Sequence, residues 1–364
     1  MSDSRSDVGQ KPGLRAGARI PIRSDRTKLE QVHVFEAVDV EAIHAALGAK
    51  RPLLVRGEPG VGKSQLAQAA AVALERVFVP FVVDARTEAR ELLWREDAVA
   101  RLADAQLIAA LGSTSAVETD DADSGEPDAG SGALALRRRL SDPTAYVEPG
   151  PLWWAFDWTG AVEQAARLQQ VPRQQGPEAN PENGAVVLID EIDKAEADVP
   201  NGLLEALGAS QFTPRGWARP VVAEKVPPLI VITTNEERVL PDAFLRRCVV
   251  HEITLPDAAE TQAQAAPLIK YLVERGRAHF PDVHHDVLQS AAGYLNEDRW
   301  QSERERRRPA PGQAEYLDLV RAAIATADVP TSPEPRREAV RDAQLQRLNA
   351  LRAFFLNKHR GPLR

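Results

Sequence analysis

Gly57-Glu58-Pro59-Gly60-Val61-Gly62-Lys63-Ser64 satisfies the loop pattern G-x-x-x-x-G-K-[ST] at every constrained position. Before it, Arg51-Pro52-Leu53-Leu54-Val55-Arg56 holds a short apolar run suited to a buried strand. After it, Gln65 to Val77 is rich in Ala and Leu with no helix breaker. Strand, loop and helix in that order are the setting such a loop needs. Its glycines allow a tight turn that points backbone N–H groups inward, and the helix behind adds the positive end of its dipole, so a polyphosphate has a seat. In a loop of this kind Lys63 reaches the β- and γ-phosphates and the Ser64 hydroxyl holds Mg²⁺. The candidate nucleotide-binding set therefore runs from Gly57 through Glu58, Pro59, Gly60, Val61, Gly62, Lys63 and Ser64 to Gln65. A chance glycine-rich turn is the bland alternative, and Lys-Ser set directly before a helical run argues against it.

A second stretch completes the pattern. Ala185 to Lys194, Ala-Val-Val-Leu-Ile-Asp-Glu-Ile-Asp-Lys, is an apolar run ending in acid, which suits a central parallel strand that delivers carboxylates at its C-terminal end. Asp190 fits the acidic residue that holds Mg²⁺ and its waters, and Glu191 the group that positions or deprotonates the attacking water. Asp193 and Lys194 are equally readable as helix-start charges. Leu229 to Asn235 forms another apolar run, ending in Thr233-Thr234-Asn235; a strand tip carrying Asn235 can hydrogen-bond the γ-phosphate and the attacking water. Leu240 to Cys248 reads as a short helix ending in Arg246-Arg247, followed by a last strand, Val249 to Leu255.

The remainder fits around these stretches. The chain has 364 residues, 43% hydrophobic and 27% charged, enough for one large or two ordinary domains. A net charge of −8 argues against nucleic acid as the main partner. Cys248 stands alone, which excludes an internal disulfide and a cysteine-based zinc cluster and fits a reducing, cytoplasmic setting. No apolar segment has the length to cross a bilayer, and Met1 to Gly17 lacks a signal core. Residues 1–28, rich in Ser, Asp, Arg and Gly, read as a flexible arm. Phe35 to Leu47 has helical spacing, Val77 to Asp84 reads as a strand, and residues 86–110 read as one amphipathic stretch with Leu92, Leu93, Trp94, Val99, Leu102 and Leu107 on its apolar side. Residues 112–132 carry six acids and no base, an acidic disordered loop. Arg137-Arg138-Arg139 reads as a solvated helix face, and the aromatics between Tyr146 and Trp158 as core packing. Helical patterns near 258–277, 284–297, 313–327 and 335–357 define an all-α region. His284-His285 lacks the further convergent ligands that a metal site needs.

With these residues in view the chain resembles the AAA+ ATPases, and within them the MoxR group, over about residues 30–330. The resemblance rests on Gly57 to Ser64, Asp190-Glu191, Thr234-Asn235 and Leu245-Arg246-Arg247. The features shared with MoxR-like proteins are Glu91 to Asp97 with Arg101-Leu102, Pro149 to Leu152, and Asp193 to Leu204. It implies an α/β P-loop NTPase core, a parallel sheet flanked by helices, over residues 29–256, with an insertion at about 86–160. A C-terminal all-α lid would follow over 257–364. It further implies a ring, usually hexameric, that binds ATP with Mg²⁺ between subunits, with an arginine finger from the neighbour at Arg247 or Arg246. Protein clients would be remodelled or matured, often beside a partner bearing a von Willebrand factor A domain.

One departure is visible. Where the family's lid offers a Ser-Pro-Arg-like arginine, this chain has Pro311-Gly312-Gln313-Ala314, so Gln313 stands in that arginine's place, with Arg307 and Arg308 as the nearest substitutes. The competing functional classes are an AAA+ motor on nucleic acid and a slow ATP-dependent switch that assembles a defence or signalling complex. A dead scaffold is disfavoured by the presence of Lys63, Ser64, Asp190 and Glu191 together.

Overall fold

The computed structural model describes residues 13–23, 30–114, 129–170, 175–176, 178–223, 226–306, 309–328 and 337–356. Its centre is a parallel sheet of five strands. In chain order the elements before the insertion are β1 (Arg19–Arg23), β2 (Glu30–Val34), α1 (Ala37–Ala49), β3 (Leu53–Arg56), α2 (Lys63–Ala73) and β4 (Val77–Val82). Then come β5 (Trp94–Glu96), α3 (Ala98–Thr114), α4 (Ala129–Ser141), β6 (Val147–Pro149), α5 (Pro151–Phe156) and α6 (Trp158–Arg167). The second half of the core holds β7 (Ala185–Asp190), α7 (Asp198–Ala209), β8 (Gln211–Phe212), β9 (Val221–Val222), β10 (Leu229–Thr234), α8 (Asp242–Leu245) and β11 (Val249–Glu252). Four helices follow: α9 (Gln262–His279), α10 (His285–Arg304), α11 (Gln313–Thr326) and α12 (Arg337–Phe355).

The sheet order is β11-β3-β10-β7-β4, with every pairing parallel. Strands covered on both faces have no reason to alternate, and β7 and β10 are accordingly apolar and buried almost throughout. On one face α5 brings Trp153, Trp154 and Phe156 against Val79, Val187, Ile189 and Ile232, so the aromatic run is core as expected. On the other, α2 presents Ala67, Ala69, Ala70 and Ala71, and side chains this small let the helix lie close on the sheet. The four C-terminal helices have their own core of Leu268, Leu272, Leu288, Leu295, Tyr316 and Val320, which also takes in Val61 from the glycine-rich loop.

Two expectations are corrected. The flexible arm expected over 1–28 contains a strand: β1 pairs antiparallel with β2, and Ile20 and Ile22 are buried in the cluster that holds α2. Burying that pair of isoleucines outweighs the polar surroundings that made the segment read as unstructured, and residues 1–12 and 24–28 lie outside the described residues. The single amphipathic stretch expected over 86–110 is divided. Leu92 is buried in the core, β5 pairs with β6, and α3 leaves Val99, Leu102 and Leu107 exposed. Between β5 and β6 the chain leaves the core through α3 and returns through α4, and α5 beyond them packs in the sheet's own core. Helix occupies both margins of the expected acidic loop, through Thr114 and from Ala129, and residues 115–128 lie outside the described residues. Arg139 of the basic run reaches Asp104 at 3.5 Å and stacks over Tyr146.

Candidate functional site

The loop between β3 and α2 emerges at the C-terminal edge of the sheet, where β7 and β10 also end. Gly57, Gly60 and Gly62 all have positive φ, and Gly57 lies so close to β11's exit that an added Cβ would stand 2.2 Å from the Ile253 carbonyl oxygen. Only glycine fits there. The pattern seen in the sequence is thus the set of backbone angles that this turn requires.

Lys63 is 7% exposed, and its ammonium donates to the carbonyls of Gly57 (2.7 Å) and Glu58 (2.9 Å) and to Asn235 Oδ1 (2.7 Å). Burial pushes its pKa down while the carboxylates of Asp190, Asp193, Glu191 and Glu236 push it back up. The Ser64 hydroxyl meets Asp190 at 2.8 and 3.0 Å, and Asp190 Oδ1 also accepts from Thr233 Oγ1 at 2.5 Å. A hydroxyl and a carboxylate at this spacing form the kind of hard oxygen pair that supplies one or two protein ligands to Mg²⁺ while phosphate and water supply the rest.

Glu191 follows with φ 60 and ψ 49, the left-handed region in which a non-glycine residue stores about 1 kcal/mol or more. Its amide donates to Thr233 Oγ1 at 2.9 Å, which fixes that turn. One carboxylate oxygen faces Asn235 Nδ2 at 3.4 Å; the other accepts from Lys194 Nζ at 2.5 Å. The pair raises the Lys194 pKa, chiefly through that hydrogen bond. Asp193, 2% exposed, accepts the amides of Asn235 and Glu237 and so pins the turn after β10. The structure therefore brings Lys63, Ser64, Asp190, Glu191 and Asn235 to one place. Thr233, Asp193 and Lys194 belong with them, although the sequence left the last two equally readable as helix-start charges.

Arg246 and Arg247 stand elsewhere. Val249 opens β11 beside Leu53 at the start of β3, and Arg51 donates to the Arg246 carbonyl at 3.3 Å. Both arginines are exposed at the N-terminal edge of the sheet, opposite the glycine-rich loop.

Beside the loop lies a cavity of about 220 Å³ whose lining includes His33, Val61, Gln65, Tyr271, Arg275 and Gln313. Gln65 donates to Gln31 at 2.9 Å, and Tyr271 donates to Gln313 Oε1 at 3.1 Å. Burial pushes the His33 pKa down to about 4, with Arg275 and His279 adding to the shift and Asp39 opposing it. At neutral pH His33 therefore offers a neutral ring, and its Nε2 has no hydrogen-bond partner among the described residues. Burial alone would raise the Asp39 pKa, but hydrogen bonds from His251 (2.7 Å) and from the Glu36 amide bring it below its usual value. Gln313 is a buried part of the cavity wall, and Arg307 and Arg308, the substitutes expected for a lid arginine, lie outside the described residues. Arg299 of α10, which sequence reasoning passed over, also reaches the loop; its Nη2 lies 2.7 Å from Glu58 Oε2. His284 caps α10 by accepting from the Asp286 amide at 3.2 Å. Among the described residues no group of His, Cys, Asp or Glu forms a metal cluster.

A parallel α/β sheet with a glycine-rich loop seated over its C-terminal edge is a P-loop nucleotide-binding fold. Residues 52–248, more than half of the chain, match the AAA domain (dynein-related subfamily), and the chain belongs to that family of AAA+ ATPases. No curated protein matches it. Among solved structures it is similar to a protein of Cytophaga hutchinsonii ATCC 33406 described only provisionally as an ATPase. The likeness has 12% identity, covers 88% of this chain and 80% of that one, and has a TM-score of 0.33, at which it carries no argument. Among the described residues no helix is long and apolar enough to cross a membrane.

Proposed function

We propose that the protein is a MoxR-like AAA+ ATPase that hydrolyses ATP, works as a ring and remodels or matures protein clients in the cytoplasm. The observation that carries the ATPase reading is the convergence of Lys63, Asn235 and Glu191 on one side of the loop with Ser64 and Asp190 on the other. In this reading Gly57 to Gln65 cradle the phosphates and Lys63 exchanges its loop carbonyls for phosphate oxygens. The cavity beside Gln65 and Gln313 receives the base. Ser64 and Asp190 would hold Mg²⁺, which when bound neutralises charge on the phosphates. Glu191 accepts the proton of the attacking water once Lys194 releases its carboxylate, and Asn235 orients that water.

Placing Arg246 and Arg247 on the far edge of the sheet supports a trans arrangement, since neither guanidinium can reach its own chain's loop across the length of β3. A head-to-tail contact that delivers the edge of one subunit to the loop of the next is heterologous, and such contacts close into a ring when the rotation between copies closes. A hexamer is the ring size proposed. The client reading rests on the MoxR-like stretches and on the α3–α4 excursion, with its exposed Val99, Leu102, Leu107 and Leu134. A von Willebrand factor A domain protein is the partner expected.

The test is a pull-down with Glu191→Gln held in ATP and Mg²⁺. A specific retained protein supports the remodeller, whereas nucleic acid that survives moderate salt overturns it in favour of the motor.

A further inference from the structure

Three residues of the glycine-rich loop are attached to the C-terminal helices. Val61 is 4% exposed within the helices' own core, and the Gly60 carbonyl accepts the Ala314 amide at the start of α11 (3.2 Å). The third attachment is Glu58, whose carboxylate meets Arg299 of α10 at 2.7 Å. Arg299 is 7% exposed. Besides Glu58 it faces Glu303 (3.3 Å) and donates to the Pro311 carbonyl (3.2 Å), in the segment that leads into α11. A buried guanidinium is costly unless it is paired, and here two carboxylates at ion-pair distance and one carbonyl offset that cost, although its Nε makes no hydrogen bond among the described residues.

Glu58 is held from two directions. Its carbonyl accepts Lys63, and its carboxylate is ion-paired with Arg299. When phosphate draws the Lys63 ammonium away, the Glu58 carbonyl loses its partner and the loop must reset. The Arg299 contact passes that reset to α10 and to the start of α11. The backbone bond from Ala314 to Gly60 would form with almost any sequence; the ion pair would not.

We propose that Arg299 is a positioning residue that acts through Glu58 to couple occupation of the phosphate loop to the seating of the C-terminal helices. The inference rests on the nucleotide-binding reading above. Coupling of this kind is reciprocal: whatever tightens the helices on the loop also tightens the loop on its ligand.

The experiment is hydrogen exchange of the full chain with and without a non-hydrolysable ATP analogue and Mg²⁺, read separately over residues 57–65 and 309–316. In the wild type the analogue should slow exchange at both. Arg299→Gln should keep the protection at 57–65 and lose at least about three-quarters of it at 309–316. Glu58→Gln, at an exposed loop position where folding is not at stake, should lose the same amount, and the double variant should lose no more than either single. Full protection at 309–316 in either single variant, or additive losses, would overturn the coupling while leaving the nucleotide reading intact. A wild type that gains no protection at 57–65 would overturn both.

Discussion

The two edges of the sheet are built in opposite ways. At the C-terminal edge Lys63 and Glu191 both meet Asn235, Ser64 meets Asp190, and Lys194 meets Glu191. At the N-terminal edge Arg246 and Arg247 stand exposed, and neither guanidinium has a partner among the described residues. Satisfied groups at one edge and free arginines at the other suit a half-site that a second copy completes. On the proposed reading, the contrast separates two kinds of residue: those whose loss would remove ligand binding within one chain, and those whose loss would be felt only by a neighbour.

Breaking the first edge gives the largest effects. Lys63→Ala should abolish nucleotide binding, as read by titration with a fluorescent ATP analogue; unchanged affinity would remove the loop from its role. Glu191→Gln should bind ATP at near wild-type affinity and lose on the order of 100-fold or more in turnover, the usual scale for a missing general base. Phosphate release near the wild-type rate would take that role from Glu191. Truncating the second edge, Arg247→Ala should leave binding intact and lower turnover by up to about 10³-fold. If binding and turnover fell together, the division between the edges would fail.

A smaller effect sharpens the picture at the cavity. His33 is neutral in the folded chain down to about pH 4, whereas in the unfolded chain it takes up a proton below about 6.5. The unfolded state thus binds more protons between those values, so stability falls as pH drops from 6.5 to 4, by about 3 kcal/mol for this residue. Denaturant unfolding should show a shallower acid loss for His33→Gln than for the wild type. Parallel curves would mean that His33 is not held neutral.

How far the sequence could be read follows from how local each requirement is. Gly57, Gly60 and Gly62 declare positive φ, and Lys63 and Ser64 follow directly, so the loop was legible from a handful of adjacent residues. Asp190 and Glu191 were legible because a buried parallel strand leaves few places for acids except its end. Arg299 was not, since the charge that matches it lies on the other side of the sheet core in sequence and its local setting, beside Glu303 and Arg304, looks like a solvated helix. Lys194 and Asp193 were ambiguous for a similar reason: the turn that aims them at Glu191 and Asn235 depends on Thr233 of another strand. The strand at 19–23 carried a signal, the alternation of Ile20 and Ile22, that its polar surroundings masked. For α3, helical spacing foretold an apolar face but not that Val99, Leu102 and Leu107 would be left uncovered.

The claim that the two edges meet between copies is tested most directly by mixing Lys63→Ala subunits with Arg247→Ala subunits and measuring ATP turnover of the mixed assembly. Each variant alone should be nearly inactive. In an equal mixture about one contact in four pairs an intact loop with an intact arginine, so up to about a quarter of wild-type turnover should return. Assemblies shown to contain both variants, yet no more active than either alone, would contradict the account.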